Sequence, residues 1–145
     1  MRFRVPRVGE LIALAGAALV LVSLLEPWYE GTLGKLDAWD TFGGAVVLLI
    51  AAACAALALV LSTVAERTPG LPVSLSVWCT LLGLIAVIAA VVRVLERPDH
   101  ASSLCVGAWL ALAGAVAILV GAWWSLSDER TSLYEPASPA PRPRP

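Results

Sequence analysis

The amino-acid sequence predicts an all-α membrane protein, a bundle of four transmembrane helices arranged as two helical hairpins. Three observations carry this. Apolar residues make up 59% of the chain and charged residues 14%, where a water-soluble domain holds about 45–50% and about 25%. The mean hydropathy is +0.84. The apolar residues also gather in four runs, each long enough to cross a hydrocarbon core of about 30 Å.

The runs are Val8–Leu25, Phe42–Val64 (entered from Ala38), Val73–Val92 and Leu104–Leu126. In each, apolar residues cover all faces of the helix, as lipid on the outside requires. Glu26-Pro27 stops the first run, because proline lacks an amide donor and disfavours helix in the residue before it. Asp37 reads as the N-cap of the second helix, with Asp40 at N3. Thr68-Pro69-Gly70 reads as a turn, and Pro72 suits the first position of the third helix. Arg97-Pro98 closes that helix, and Ser102 or Ser103 is placed to cap the fourth. The basic start and first apolar run resemble a secretory signal. The small residues Ala13 to Ala17 come too early for a cleavage site, however, so the run reads as an uncleaved span.

Orientation follows from lysine and arginine at the span ends. With the N-terminus in the cytoplasm, that side holds Arg2, Arg4, Arg7, Arg67, Arg130, Arg142 and Arg144, and the outer side holds Lys35, Arg93 and Arg97. Both termini are therefore expected inside. Trp28, Tyr29 and Trp39 fall at the outer interface and Trp123 and Trp124 at the inner one. Trp78 and Trp109 sit deeper than an interfacial belt explains.

Shifted by 70 residues, the chain partly matches itself. Leu25-Glu26 falls on Leu95-Glu96, Ala38-Trp39 on Ala108-Trp109, and Gly44-Ala45-Val46 on Gly114-Ala115-Val116. The expectation is a duplicated hairpin, two parallel repeats about an axis along the membrane normal. Small residues are the contact points of helices in lipid. Candidate stripes are Gly9, Ala13 and Ala17; Gly44, Ala51, Ala52, Ala55 and Ala56; Gly83, Ala86 and Ala90; Gly107, Ala111 and Ala115, with Ala113, Ala117 and Gly121 beside them. Cys54, Cys79 and Cys105 lie at different depths, so no disulfide is expected. Residues 127–145, with five prolines, read as a disordered cytoplasmic tail.

Few residues offer chemistry. Glu10 lies near the inner end of the first span, three residues after Arg7, and is expected to make an interfacial ion pair. Arg93 lies near the outer end of the third, placed to snorkel to the interface or to pair with Glu96 or Glu26. The outer side carries Glu26, Glu30, Asp37, Asp40, Glu96 and Asp99 against Lys35, Arg93 and Arg97. His100 is the only histidine. No catalytic, cofactor-binding or metal-binding constellation is expected, and no basic run points to nucleic acid. No carboxylate sits at mid-span, which argues against ion-coupled transport.

The first outer loop is the most distinctive segment. It reads Pro27-Trp28-Tyr29 and then Ala38-Trp39-Asp40-Thr41-Phe42. This PWY…AWxxF pattern resembles a group of small four-span bacterial membrane proteins, over the first span and the start of the second. The resemblance implies four spans and no assigned activity, with Trp28, Tyr29, Trp39 and Phe42 as the matching positions. The expected function is a non-enzymatic scaffold or modulator of a membrane partner. The alternative is a small oligomeric transporter or channel. A polar path along Glu10, Ser23, Ser74, Ser76 and Thr80 would favour the alternative; a dry interior would favour the scaffold.

Overall fold

The computed structural model describes residues 6–31, 34–64, 71–96 and 101–132. These form helices α1 (Val8–Ser23), α2 (Ala38–Phe42), α3 (Gly44–Val64), α4 (Leu71–Leu95) and α5 (Val106–Ser132), and strands β1 (Tyr29–Gly31), β2 (Gly34–Leu36) and β3 (Ala101–Leu104). Three helices are long and apolar enough to cross a membrane: α3, α4 from Ser74, and α5 as far as Asp128. Helix α1 is apolar but has only 16 residues.

The helices pack in a ring. The most extensive contact is α1 with α5, then α4 with α5, α3 with α4, and α1 with α3. The sequence explains the closeness of the first pair. A methyl group built on Gly16 would lie 2.7 Å from both the Gly114 carbonyl oxygen and the Ile118 nitrogen. One built on Gly9 would lie 2.7 Å from the Gly121 carbonyl oxygen. Gly114 and Gly121 meet the backbones of Gly16 and Gly9 in return. Seven residues, two helical turns, separate the rungs on each antiparallel helix. The seam therefore consists of backbone on backbone, where even alanine does not fit.

Helix α5 meets α4 less tightly. A methyl on Gly83 would stand 3.1 Å from the Leu119 Cα. This register accounts for the depth of Trp78. It precedes Gly83 by five residues, and Trp124 follows Leu119 by five, so the two indoles share a level. Trp78, Trp123 and Trp124 are all exposed and form one belt.

The interior is mostly alanine. Twelve of the 22 buried apolar residues among the described positions are alanine, which lets four helices approach closely without long side chains. The stripes drawn from sequence are partly corrected. Ala113 is exposed, and Gly16 and Gly114, in none of those stripes, carry the tightest contacts.

The two hairpins bury matching positions. Gly9, Ala13, Gly16 and Val20 of α1 lie 70 residues before Cys79, Gly83, Ala86 and Ala90 of α4, and all eight are buried. Ala38 and Ala108 continue the match. Beyond Gly43 the offset becomes 69. Val46, Leu49, Ala52, Ala53 and Ala56 of α3 then correspond to Ala115, Ile118, Gly121, Ala122 and Ser125 of α5, again all buried. Gly43, at φ 49° and ψ −120°, separates α2 from α3 and is where the extra residue falls. The aligned triplets Gly44-Ala45-Val46 and Gly114-Ala115-Val116 therefore do not occupy equivalent environments. Gly44 is exposed and Gly114 buried, while Val46 is buried and Val116 exposed.

Other boundaries differ from the sequence reading. Helix α1 ends at Ser23, two residues early. Asp37 holds the N-cap position of α2 but its side chain makes no capping bond. Ser102 and Ser103 belong to β3 instead of capping α5. Helix α5 runs through residues 127–132, expected in the tail; residues 133–145 lie outside the described set, as do Thr68-Pro69-Gly70 and Arg97-Pro98.

The seam yields a stability prediction. Gly16→Ala and Gly114→Ala should each destabilise the folded protein by about 1–3 kcal/mol, the usual cost of overpacking. Gly44→Ala, whose added methyl meets nothing within 4 Å, should be neutral or slightly stabilising. Unfolding of the three variants by denaturing detergent, followed by circular dichroism, checks the contrast.

Candidate functional site

The loops at one end of the bundle fold into a three-stranded antiparallel sheet of order β2-β1-β3. Tyr29 pairs with Leu36 and Leu104, and Glu30 with Lys35 and Ser103. A bulge falls between Glu30 and Gly31 where β3 is paired. Strands of three or four residues are too short to show the alternation that identifies strands in sequence. The available signal was the pair of glycines, Gly31 and Gly34. They face each other at the end of the hairpin, and Gly34 takes φ 113°, a conformation that favours glycine.

The sheet is anchored through Pro27, Trp28 and Tyr29. The Gly107 N–H, one of the amides a helix start leaves without an intrahelical partner, donates to the Pro27 carbonyl at 3.1 Å. A side chain at Gly107 would strike that carbonyl and Trp28 Cδ1, both 2.7 Å from its first carbon. Trp28 is fully buried. Its indole N–H donates to the Ser23 carbonyl at 2.7 Å, its amide to Leu36 O at 3.0 Å, and its carbonyl accepts from the Cys105 amide at 2.8 Å. Tyr29, also fully buried, donates its hydroxyl to the Arg93 carbonyl at 2.6 Å. One dipeptide thus ties the ends of α1, α4 and α5 to both neighbouring strands.

Burial takes Trp28 and Tyr29 off the outer surface where the sequence placed them. Trp28 and Tyr29 are core residues, because their polar tips find backbone carbonyls inside the protein. Trp39 is 61% exposed and remains a surface residue; the Phe42 side chain lies outside the described set. Alternation along the strands leaves Glu30, Lys35 and Ser103 exposed, with Glu30 opposite Lys35, an opposite-charge pairing that favours the register. Glu26, Asp37, Asp40 and Glu96 are exposed around this end, and Arg93 is half-buried. His100, Arg97 and Asp99 lie outside the described set. Among the described residues no group of three His, Cys, Asp or Glu is placed to hold a metal ion. The cysteines are free.

Glu10 stands at the other end, so the four singled-out charges do not share one site. It is 3% exposed. Its carboxylate accepts from the Arg7 amide at 3.0 Å and from the Thr63 hydroxyl of α3 at 3.0 Å. The first bond is half of a capping box; an arginine side chain has no acceptor with which to complete it. In place of the expected ion pair, Glu10 closes its own helix start and joins α1 to α3.

Two members of the suggested polar path, Ser23 and Thr80, turn their hydroxyls back onto their own helices, as does Ser62. Ser23 donates to Val20 O at 2.6 Å, Ser62 to Leu59 O at 2.7 Å and Thr80 to Ser76 O at 2.7 Å. Ser74 is exposed, and Ser76 and Ser125 are buried.

Two substitutions test the anchor. Trp28→Phe leaves the Ser23 carbonyl without its indole partner and should cost about 1–3 kcal/mol. Tyr29→Phe should cost about 1 kcal/mol. Thermal unfolding in mild detergent measures both; no loss in either variant would contradict the anchoring role.

Comparison with protein-family models, curated proteins and solved structures finds no significant match to this chain.

Proposed function

We propose that the chain is a four-span membrane protein with both termini in the cytoplasm, acting without catalysis or transport as a scaffold or modulator of a partner in the membrane. The observation that carries this is the small-residue, largely apolar interior among the described residues. Alanine and glycine bring the helices together, and the hydroxyls of Ser23, Ser62 and Thr80 bond to their own helix carbonyls. A conducting path needs polar groups aimed at a shared lumen. Among the described residues the sheet end presents Glu30, Lys35 and Ser103 outward, which suits contact with a partner.

The fourth span is supported by position instead of length. Helix α1 lies against α5 from Gly9 opposite Gly121 to Gly16 opposite Gly114, and its C-terminal end meets the start of α5 at Gly107. It lies along α5 from Gly107 to Ser125, which supports a fourth crossing beside the third. Seven of the ten lysine and arginine residues fall at the end of the termini, which supports the cytoplasmic assignment. The burial match of α1 with α4 and of α3 with α5 supports an origin by hairpin duplication.

With Trp28 and Tyr29 inside, the contact surface narrows to Glu30, Lys35 and Trp39. The test is affinity purification of the tagged chain in mild detergent, with mass spectrometry of what co-purifies. The expected result is one stoichiometric membrane protein, lost from a Lys35→Glu/Trp39→Ala variant whose unfolding temperature is unchanged. A homo-oligomer that carries ions into liposomes would overturn the proposal.

A further inference from the structure

We propose that Glu10 is a proton-binding site and that its contact with Thr63 is a proton-dependent latch between the cytoplasmic ends of α1 and α3. The inference goes beyond the scaffold reading and holds whatever the partner is. From the four-span reading it takes only the side on which the proton arrives.

Glu10 is a buried acid without a counter-ion. It is 3% exposed. Its two oxygens meet the Arg7 amide and the Thr63 hydroxyl, each at 3.0 Å, and both of these groups are neutral. Among the described residues no cation stands within ion-pairing distance of it, the Arg7 guanidinium included. Helix α3 faces it with Thr63 and carries no charged residue. On α5, Asp128 is exposed, while Arg2, Arg4, Glu66 and Arg67 lie outside the described residues. The α5 seam is closed beside it, since a methyl on neighbouring Gly9 would lie 2.8 Å from the Ser125 nitrogen. A buried charge is ordinarily paired or bound to a metal ion, and an acid that has neither removes its charge by taking up a proton.

The surroundings of Thr63 provide for that proton. A hydroxyl carries one proton, yet Thr63 Oγ1 lies 3.0 Å from Glu10 Oε1 and 3.0 Å from Leu59 O. With Glu10 ionised, Thr63 donates to one of these oxygens and the other contact holds no proton. With Glu10 protonated, Oε1 donates to Thr63, Thr63 donates to Leu59 O, and the Arg7 amide still donates to Oε2. Every contact is then a hydrogen bond. The latch sits where the ring is weakest, because α1 with α3 is the least extensive of its four helix contacts. Loss of the proton leaves an uncompensated charge in that seam. Water or the Arg7 guanidinium then has to reach it, and the seam opens on the cytoplasmic side. The folded state holds the proton that the unfolded chain releases, so stability falls as the pH rises. No carboxylate stands at mid-span to pass the proton onward, so the site is a latch and not a step in transport.

The experiment uses the full chain in mild detergent with dicyclohexylcarbodiimide, which reacts with protonated carboxyls shielded from water. The carboxyl O–H adds across one C=N bond, oxygen to carbon and proton to nitrogen, and the acyl group then shifts to nitrogen as a stable adduct. Mass spectrometry of the peptide holding Glu10 reads the adduct. The expected result is a labelled Glu10 in acidic buffer, with the label lost as the buffer is made basic and the unfolding temperature falling over the same range. Glu10→Gln, whose amide donates to Thr63 and accepts from Arg7 in every buffer, should match the wild type in acid and lose less of its unfolding temperature in base. An unlabelled Glu10 in acid, or a Glu10→Gln profile parallel to that of the wild type, would overturn the latch. Labelling that sodium ions block at constant pH would give the site to a metal cation and overturn the proton. The adduct is read on the wild type, so the proposal is decided even where the variant fails to fold.

Discussion

The structure depends on how closely the backbones of α1 and α5 approach. Lipid supplies no hydrophobic drive between helices, so their association rests on close van der Waals contact. Two glycine rungs, seven residues apart, provide that contact. They fix the height of α1 on α5. That height brings Pro27 O onto the Gly107 amide, and the same turn places Trp28 in the core. Once Trp28 is fixed, β1 is fixed, and β2 and β3 add to its two edges.

The halves of the bundle use equivalent positions with different side chains. Where α1 and α5 have Gly9, Gly16, Gly114 and Gly121, the corresponding positions of α4 and α3 hold Cys79, Ala86, Ala45 and Ala52. A methyl or thiol in place of hydrogen keeps the second seam wider, which accounts for the more extensive contact of α1 with α5 than of α3 with α4. A duplicated hairpin can therefore keep its burial pattern and still lose its symmetry. The tight seam then joins the shortest of these helices to the longest, and the wider seam joins the two of intermediate length.

The helical body was legible because span length and hydrophobic coverage are coarse signals, robust to errors of two or three residues. The sheet was not, because it depends on pairing between two loops some 70 residues apart, which local patterns do not encode. Trp28 and Tyr29 illustrate the limit. Their aromatic character was readable, but whether such a ring faces lipid or core is decided by which carbonyl its polar tip reaches: for Trp28 that is Ser23 O, five residues back across the end of α1, and for Tyr29 it is Arg93 O, 64 residues away. Glu10 was legible as a helix-start carboxylate, while its bond to Thr63 was not, since nothing in either segment announces the other. The small-residue stripes pointed to the right helices and, on α5, to the wrong face in part. Four-residue spacing favoured Ala113, whereas the seven-residue spacing of Gly107, Gly114 and Gly121 follows the seam.

The most direct measurement is of the α1–α5 register in a membrane. With the native cysteines replaced, Ala13→Cys and Ala117→Cys place thiols on facing helices between the two rungs. Oxidation should give a rapid disulfide within one chain, while pairing Ala13→Cys with Ala113→Cys, one turn away on the exposed face, should give none. A faster disulfide for the second pair, or bonds formed only between separate copies, would contradict the account.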